Sequence, residues 1–319
     1  MKYITLGNSD LKVSRLCLGC MSFGEASKGQ YQWTMDYPSS ERIIREAYER
    51  GINFFDTANN YSEGTSEIFL GRALKNYERS SLVITTKCYF NEGHLSPAAI
   101  HREIADSLVR LDTPYIDLLV LHRFDYDTPV ENTLQALNEE IRLGHIRYYG
   151  VSAMYGYQLA EYCYKAQQLG YQPLVSLQNH YSPVYREDER DLIPTARQFG
   201  LSQTSFAPLA AGRLARHDWN GSSLRSQLDN AEGTRYDAME EHDRKIAERV
   251  YELSLRHEVA MSAIALAWQY RKGVASPIIG VTKLRYLDDA LKALDVKLSD
   301  EEVSYIDELY LPHPITCNR

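Results

Sequence analysis

The sequence predicts one domain over residues 1–319, a (β/α)8 TIM barrel with an N-terminal β-hairpin, a loop insertion after the seventh strand and a C-terminal helix. Three observations carry this expectation. Strand-like apolar runs alternate with amphipathic stretches eight times along the chain. Strands separated by helices pair in parallel, because a chain returning in the same direction needs a crossover. Neither a G-x-G-x-x-G after the first strand nor a Walker lysine motif is present, which favours a closed barrel over an open nucleotide-binding sheet.

The elements follow in order. Gly7-Asn8-Ser9-Asp10 is a turn between two short extended runs, hence a hairpin. Barrel strands are expected at Leu16–Gly19, Asn53–Asp56, Leu82–Lys87, Ile116–His122, Arg147–Val151, Val175–Asn179, Gln203–Ala207 and Pro277–Gly280. In SSERIIREAYERG the residues Ile43, Ile44, Ala47 and Tyr48 share a helical face and Gly51 stops the helix. VENTLQALNEEIRLG is likewise closed by glycine. From Gly212 to about Glu241 the chain is polar and glycine-containing with few apolar residues, as a loop at the barrel mouth would be. A helix pair fills 242–272, and another helix follows SDEE near the C-terminus.

Composition narrows the function. With 44% hydrophobic and 24% charged residues, the 319-residue chain buries a sizeable core. A net charge of -8 argues against a nucleic-acid partner, whose protein footprint is normally basic. Cys17, Cys20, Cys88, Cys163 and Cys317 are few and odd in number, which fits a reducing cytoplasm. Cys17 and Cys20 have C-x-x-C spacing without a second ligand pair, so they read as buried small hydrophobes and no metal is expected. The charged opening MKYITLGNSDLKVSRL and the absence of a run of roughly 20 apolar residues point to no membrane partner. Oligomerisation is left open.

Active sites of such barrels lie at the C-terminal ends of the strands. There the second strand ends in Asp56 and runs on to Tyr61, the third ends in Lys87 and the fourth in His122. Alone, each is commonly a cap, an ion-pair partner or a packed ring. Together they form an acid and a polarising site. A tyrosine of ordinary pKa, roughly 10, holds its proton too tightly at neutral pH. Lys87 is expected to lower that pKa, Asp56 to hold Lys87 charged, and His122 to orient a carbonyl oxygen beside Tyr61. A pair of carboxylates acting as in glycoside cleavage is the competing barrel chemistry, but it leaves Lys87 and Tyr61 unused.

GINFFDTANNYSEGTSEIFLGRAL, with Asp56, Tyr61 and Glu67 so spaced, resembles the signature of the aldo-keto reductase superfamily. TTK at 85–87, DLLVLHRFD at 117–125, GVS at 150–152, SLQNHYSP at 176–183, FAPLAAGRL at 206–214 and SPIIGVTKL at 276–284 are similar to further family blocks in family order. LCLGCMSFGE and Tyr310-Leu311-Pro312-His313-Pro314 look most like bacterial members that resemble Shaker-type potassium-channel β subunits. The resemblance implies reduction of a small aldehyde or ketone by hydride transfer from NADPH, with NADH less favoured, and Asp56, Tyr61, Lys87 and His122 as a catalytic tetrad. It also admits an NADPH-binding redox-sensing module with little turnover.

By the same resemblance Ser152 and Gln178 would hold the nicotinamide carboxamide, Phe206 would stack on the ring, and Gly19, Met21 and Asp56 would lie near it. Pro208, Leu209, Ala210 and Gly212 form a turn of small residues that admits close backbone approach to the pyrophosphate, and Arg213 supplies a cation. Gly280, Thr282, Lys283 and Tyr286 are expected around the adenosine end, with Lys283 or Arg285 neutralising a 2′-phosphate. Ala153, where many members have asparagine, and Tyr286 and Ala290 near adenine depart from the family pattern; Phe124 stands where close relatives often have tryptophan. Trp33, Tyr89-Phe90 and Phe124 are expected to line an apolar substrate pocket, with Asn91, His94 and Arg123 offering polar contacts instead.

Overall fold

In the computed structural model, which describes residues 1–219, 228 and 239–316, eight parallel strands form the barrel. The chain opens with β1 (Tyr3–Thr5) and β2 (Lys12–Ser14), an antiparallel hairpin. The barrel strands are β3 (Cys17–Gly19), β4 (Phe54–Asp56), β5 (Val83–Cys88), β6 (Ile116–Leu121), β7 (Ile146–Ser152), β8 (Ser176–His180), β9 (Ser202–Phe206) and β10 (Ile278–Gly280). Their spatial order is β10-β3-β4-β5-β6-β7-β8-β9, and the Ala275 N–H donates to the Gln203 carbonyl at 2.8 Å across the remaining seam. Observed strand ends differ from the expected ones by a residue or two; β6, for example, stops at Leu121, so His122 is the first residue of the loop.

The helices are α1 (Tyr37–Glu49), α2 (Thr65–Leu74), α3 (Pro97–Leu111), α4 (Val130–Leu143), α5 (Gly156–Leu169), α6 (Leu192–Gln198), α7 (Glu240–Arg256), α8 (Met261–Arg271), α9 (Leu284–Lys292) and α10 (Asp300–Asp307). Local chemistry sets their ends. The Asp36 carboxylate caps α1 through the Ser39 N–H, while Ile43, Ile44 and Ala47 bury its inner face. Ser299 and Glu302 form a reciprocal capping box on α10. Gly144 ends α4 in the left-handed region. The helix pair expected at 242–272 is α7 and α8; of the insertion between β9 and α7, Gly212–Trp219 is described and most of the remainder, like Cys317, lies outside the described residues.

Two apolar layers hold the barrel. Leu119 and Leu121 face outward to the helices, whereas Leu118 and Val120, offset by one residue, fill the barrel interior. The hairpin continues the interior layer: Leu6, Leu11 and Val13 pack on Cys17, Phe54, Val83, Val175 and Ile278 and stop the N-terminal end. Gly7 makes this possible, since a Cβ there would lie 2.2 Å from the Val175 carbonyl oxygen. Cys17 and Cys20 are fully buried, with burial as the first cause holding both thiols well above their ordinary pKa, and no metal-binding cluster occurs among the described residues. Among them, too, no helix is long and apolar enough to cross a membrane.

Candidate active site

With the N-terminal end stopped, the chemistry gathers at the other rim. β4 and β5 are register neighbours with Asp56 opposite Thr85, so Lys87, two residues further along β5, projects from the same face as Asp56's partner. Lys87 is completely buried. Its ammonium donates to Asp56 Oδ2 at 2.6 Å, to the Thr57 carbonyl at 2.8 Å and to Tyr61 Oη at 3.1 Å. Gln178 Nε2 donates to the other Asp56 oxygen at 2.8 Å. Every donor of the ammonium is therefore engaged, one of them on the tyrosine hydroxyl.

Tyr61 reaches this point through strained backbone. Ser62, Glu63 and Gly64 all have positive φ (46°, 53° and 85°), a conformation that costs roughly 1–2 kcal/mol for each non-glycine residue. Surrounding contacts hold it: Thr65 Oγ1 donates to the Ser62 carbonyl at 2.8 Å, and the Gly29 N–H donates to Glu63 Oε1 at 3.1 Å. Ala153, Ala207, Ala210 and Ala211 also have positive φ, and they too follow barrel strands. Strain thus concentrates at the mouth, as at binding and reaction sites generally.

Electrostatics assign the protonation states. Burial disfavours the Lys87 ammonium, but Asp56 and then Tyr61 outweigh it and the pKa rises above the ordinary lysine value. Burial, followed by the charges of Lys87 and Arg123, holds His122 well below the ordinary histidine value, so its imidazole is neutral at pH 7. His122 Nδ1 is buried without a hydrogen-bond partner. The neutral imidazole keeps one N–H to donate, at Nδ1 or at Nε2. The Tyr61 phenol departs from expectation. Burial raises its pKa more than Lys87 lowers it, so the net shift is upward and the hydroxyl stays protonated.

Across the mouth from β4, Ser152 and Gln178 are opposite one another in register, both buried. Phe206, at the end of β9, is half-buried, and the following turn contains the left-handed Ala207, Ala210, Ala211 and Gly212. Pro208 and Ala210 are buried; Leu209, Gly212 and Arg213 are partly exposed, with the Arg213 guanidinium 5.5 Å from the Trp219 ring centre. Gly280, Thr282, Lys283 and Tyr286 lie exposed at the start of α9, Lys283 being its N-cap residue. At the near end Gly19 is buried, where a Cβ would lie 2.8 Å from the Ile278 side chain, and Met21 is half-buried.

A model of the aldo/keto reductase family matches residues 15–311. The chain belongs to the aldo/keto reductase family. An aldo-keto reductase of Fusarium vanettenii is 37% identical over 343 residues, covering 98% of this chain and 92% of that one. Versiconal hemiacetal acetate reductase of Aspergillus parasiticus is 36% identical over 341 residues, covering 99% and 98%. The crystal structure of the thermostable aldo-keto reductase Tm1743 with the inhibitor epalrestat matches with a TM-score of 0.78 and 28% identity, over 97% of this chain and all of that one.

Within this aldo/keto reductase the expected pocket residues take unequal places. Trp33 is buried and packs beside Tyr31, with ring centres 5.3 Å apart. Tyr89 stacks on His94 at 4.6 Å rather than facing His122. Phe124 lies edge-on to Tyr126 and to Tyr162 of α5, so it packs toward the helix layer. The ring that does meet His122 is Phe90, edge-on at 5.0 Å and 48% exposed, with the Arg123 guanidinium 5.5 Å from its centre. The Tyr89-Phe90 pair is legible in the sequence, but which of the two rings meets His122 is not, since β5 ends at Cys88 and alternation stops there. It missed His180 entirely. The signal was available: His180 lies two residues beyond Gln178 on β8 and so projects from the same face.

Proposed function

We propose that the chain is an NADPH-dependent carbonyl reductase in which Tyr61 is the general acid. The observation that carries this reading is the fully buried Lys87 ammonium, 2.6 Å from Asp56 Oδ2 and 3.1 Å from Tyr61 Oη. The residues present fit the cofactor: a half-buried Phe206 ring beside the buried pair Ser152 and Gln178, then a turn of small left-handed residues, then an exposed lysine at the start of α9. Phe206 would support the nicotinamide, Ser152 and Gln178 its carboxamide, Leu209 to Arg213 the pyrophosphate, and Lys283 the 2′-phosphate. Bound NADPH supplies the hydride.

The chain's own residues do the rest. The His122 N–H and Tyr61 Oη–H both donate hydrogen bonds to a carbonyl oxygen and polarise it. As negative charge grows there, Tyr61 Oη gives up its proton. Lys87 stabilises the phenolate left behind, and Asp56, itself braced by Gln178, keeps Lys87 in place. Phe90 offers an apolar edge to the substrate beside His122. Within the family, LCLGCMSFGE and the Tyr310–Pro314 block support a place near the channel-β-like members, whereas the relatives described above are fungal reductases.

The test is to titrate the purified protein with NADPH by cofactor fluorescence and then follow NADPH absorbance with 4-nitrobenzaldehyde, with Tyr61→Phe alongside. Binding with turnover that the variant lacks is the expected result. NADPH binding without turnover on a panel of aldehydes would replace the enzyme by a cofactor-sensing module, and a fully active Tyr61→Phe would remove Tyr61 from the chemistry.

A further inference from the structure

Behind Phe206 stands a row of parallel rings that the tetrad does not use. His180 and Phe206 are register partners at the ends of β8 and β9, and their rings lie 5.3 Å apart at 12°. His180 also stacks against Tyr185, with ring centres 4.0 Å apart at 14°. His180 is 2% exposed and Tyr185 3%. Tyr185 is fixed in turn: its backbone pairs with Ser182 through two 3.1 Å hydrogen bonds, and its hydroxyl accepts from the Thr316 N–H at 3.3 Å. The edge of His313 meets the Tyr185 ring at 6.1 Å. The C-terminal segment thus backs Tyr185, Tyr185 backs His180, and His180 backs Phe206.

We infer that His180 is a positioning residue for hydride transfer, holding the Phe206 ring in the plane against which the nicotinamide rests. The inference rests on the reading of Phe206 as the nicotinamide platform. Its physical basis is shape and stiffness. A half-buried phenylalanine at a strand end rotates about its side-chain torsions unless a flat partner fills the space behind it, and parallel offset rings are a preferred packing. Small errors in the placement of a reacting ring are expensive in rate: a displacement of about 1 Å lowers turnover on the order of a hundredfold. An aliphatic side chain in place of His180 fills similar volume but offers no flat face, so the platform tilts while the pocket remains.

The test compares His180→Leu with His180→Phe, which restores a flat ring. NADPH affinity is read by fluorescence, kcat and KM by absorbance, folding by near-ultraviolet circular dichroism, and the hydride step by the isotope effect with NADPH deuterated at the transferred hydrogen. His180→Leu is expected to lower kcat on the order of tenfold with little change in carbonyl KM and a larger isotope effect, and His180→Phe to recover most of the loss. A folded His180→Leu with wild-type kcat and isotope effect overturns the inference. So do equal losses in both variants with an unchanged isotope effect, which is the mark of a purely structural role. If His180→Leu does not fold, Tyr185→Leu, one ring further out, is held to the same outcomes. Failure of the wild type to bind NADPH would overturn the cofactor reading, and this inference with it; wild-type turnover with an indifferent His180 overturns this inference alone.

Discussion

Replacing Lys87 by methionine removes one charge from the centre of the proposed site while keeping an unbranched side chain of similar length. Its consequence for rate follows from one distance. An ammonium 3.1 Å from Tyr61 Oη stabilises a phenolate there by about 5 kcal/mol at an effective dielectric constant of roughly 20. Full loss of that term slows a step in which the phenolate forms by several thousandfold. Stability suffers separately. Asp56 would remain buried as a carboxylate with Gln178 as its hydrogen-bond donor, and breaking a buried pair from one side costs roughly 3–5 kcal/mol. The double variant Asp56→Asn with Lys87→Met separates the two effects, because it removes the orphaned charge without restoring the ammonium. Thermal unfolding should show most of the stability recovered in the double variant, while stopped-flow single turnovers with bound NADPH stay slow in both. A folded, NADPH-saturated Lys87→Met that reduces 4-nitrobenzaldehyde within about tenfold of the wild-type rate would refute the account, since the Coulomb term predicts far more.

Three other expectations are open to direct measurement. Because His122 is held well below the ordinary histidine pKa, kcat/KM should be flat between about pH 6 and 8 and show no titration near 6.5; because the Tyr61 pKa is raised, the proton donor should be lost only as pH climbs past roughly 10. A sigmoid centred near 6.5 that disappears in His122→Gln would show that the imidazole is charged in the working enzyme. Lys283→Ala should weaken NADPH about tenfold, the loss of one charge-assisted contact, and leave NADH nearly unchanged, as read by fluorescence titration; equal losses would deny it the 2′-phosphate. At Gly71 a methyl group would lie 2.2 Å from the Leu111 carbonyl oxygen, where α2 meets the end of α3, so Gly71→Ala should destabilise by about 3 kcal/mol and lower Tm by several degrees.

The sequence shows most plainly what depends on local pattern. Alternating apolar runs and glycine stops place the eight strands to within a residue or two, and Asp56, Lys87 and His122 are visible because each sits at a strand end that the same pattern defines. What depends on packing between distant segments is hidden. The net upward shift at Tyr61 required knowing how deeply the loop around Gly24 and Gly29 covers the turn at Ser62, since burial there outweighs the neighbouring ammonium. The contact of Phe90 with His122, the packing of Phe124 on Tyr162 and the ring row behind Phe206 each join residues from separate elements. Gly71 is legible as a helix glycine but not as the point where another helix's backbone passes.

The hairpin that stops the barrel also dictates traffic. With Leu6, Leu11 and Val13 wedged into the far end, anything that enters must leave by the same door. Two molecules sharing one doorway cannot exchange independently: whichever lies deeper has to arrive first and depart last. On the proposed reading, a substrate seated above the nicotinamide would have to leave before the cofactor could exchange. That order would then follow, in part, from the twelve-residue hairpin Tyr3–Ser14 on the opposite side of the molecule from the mouth.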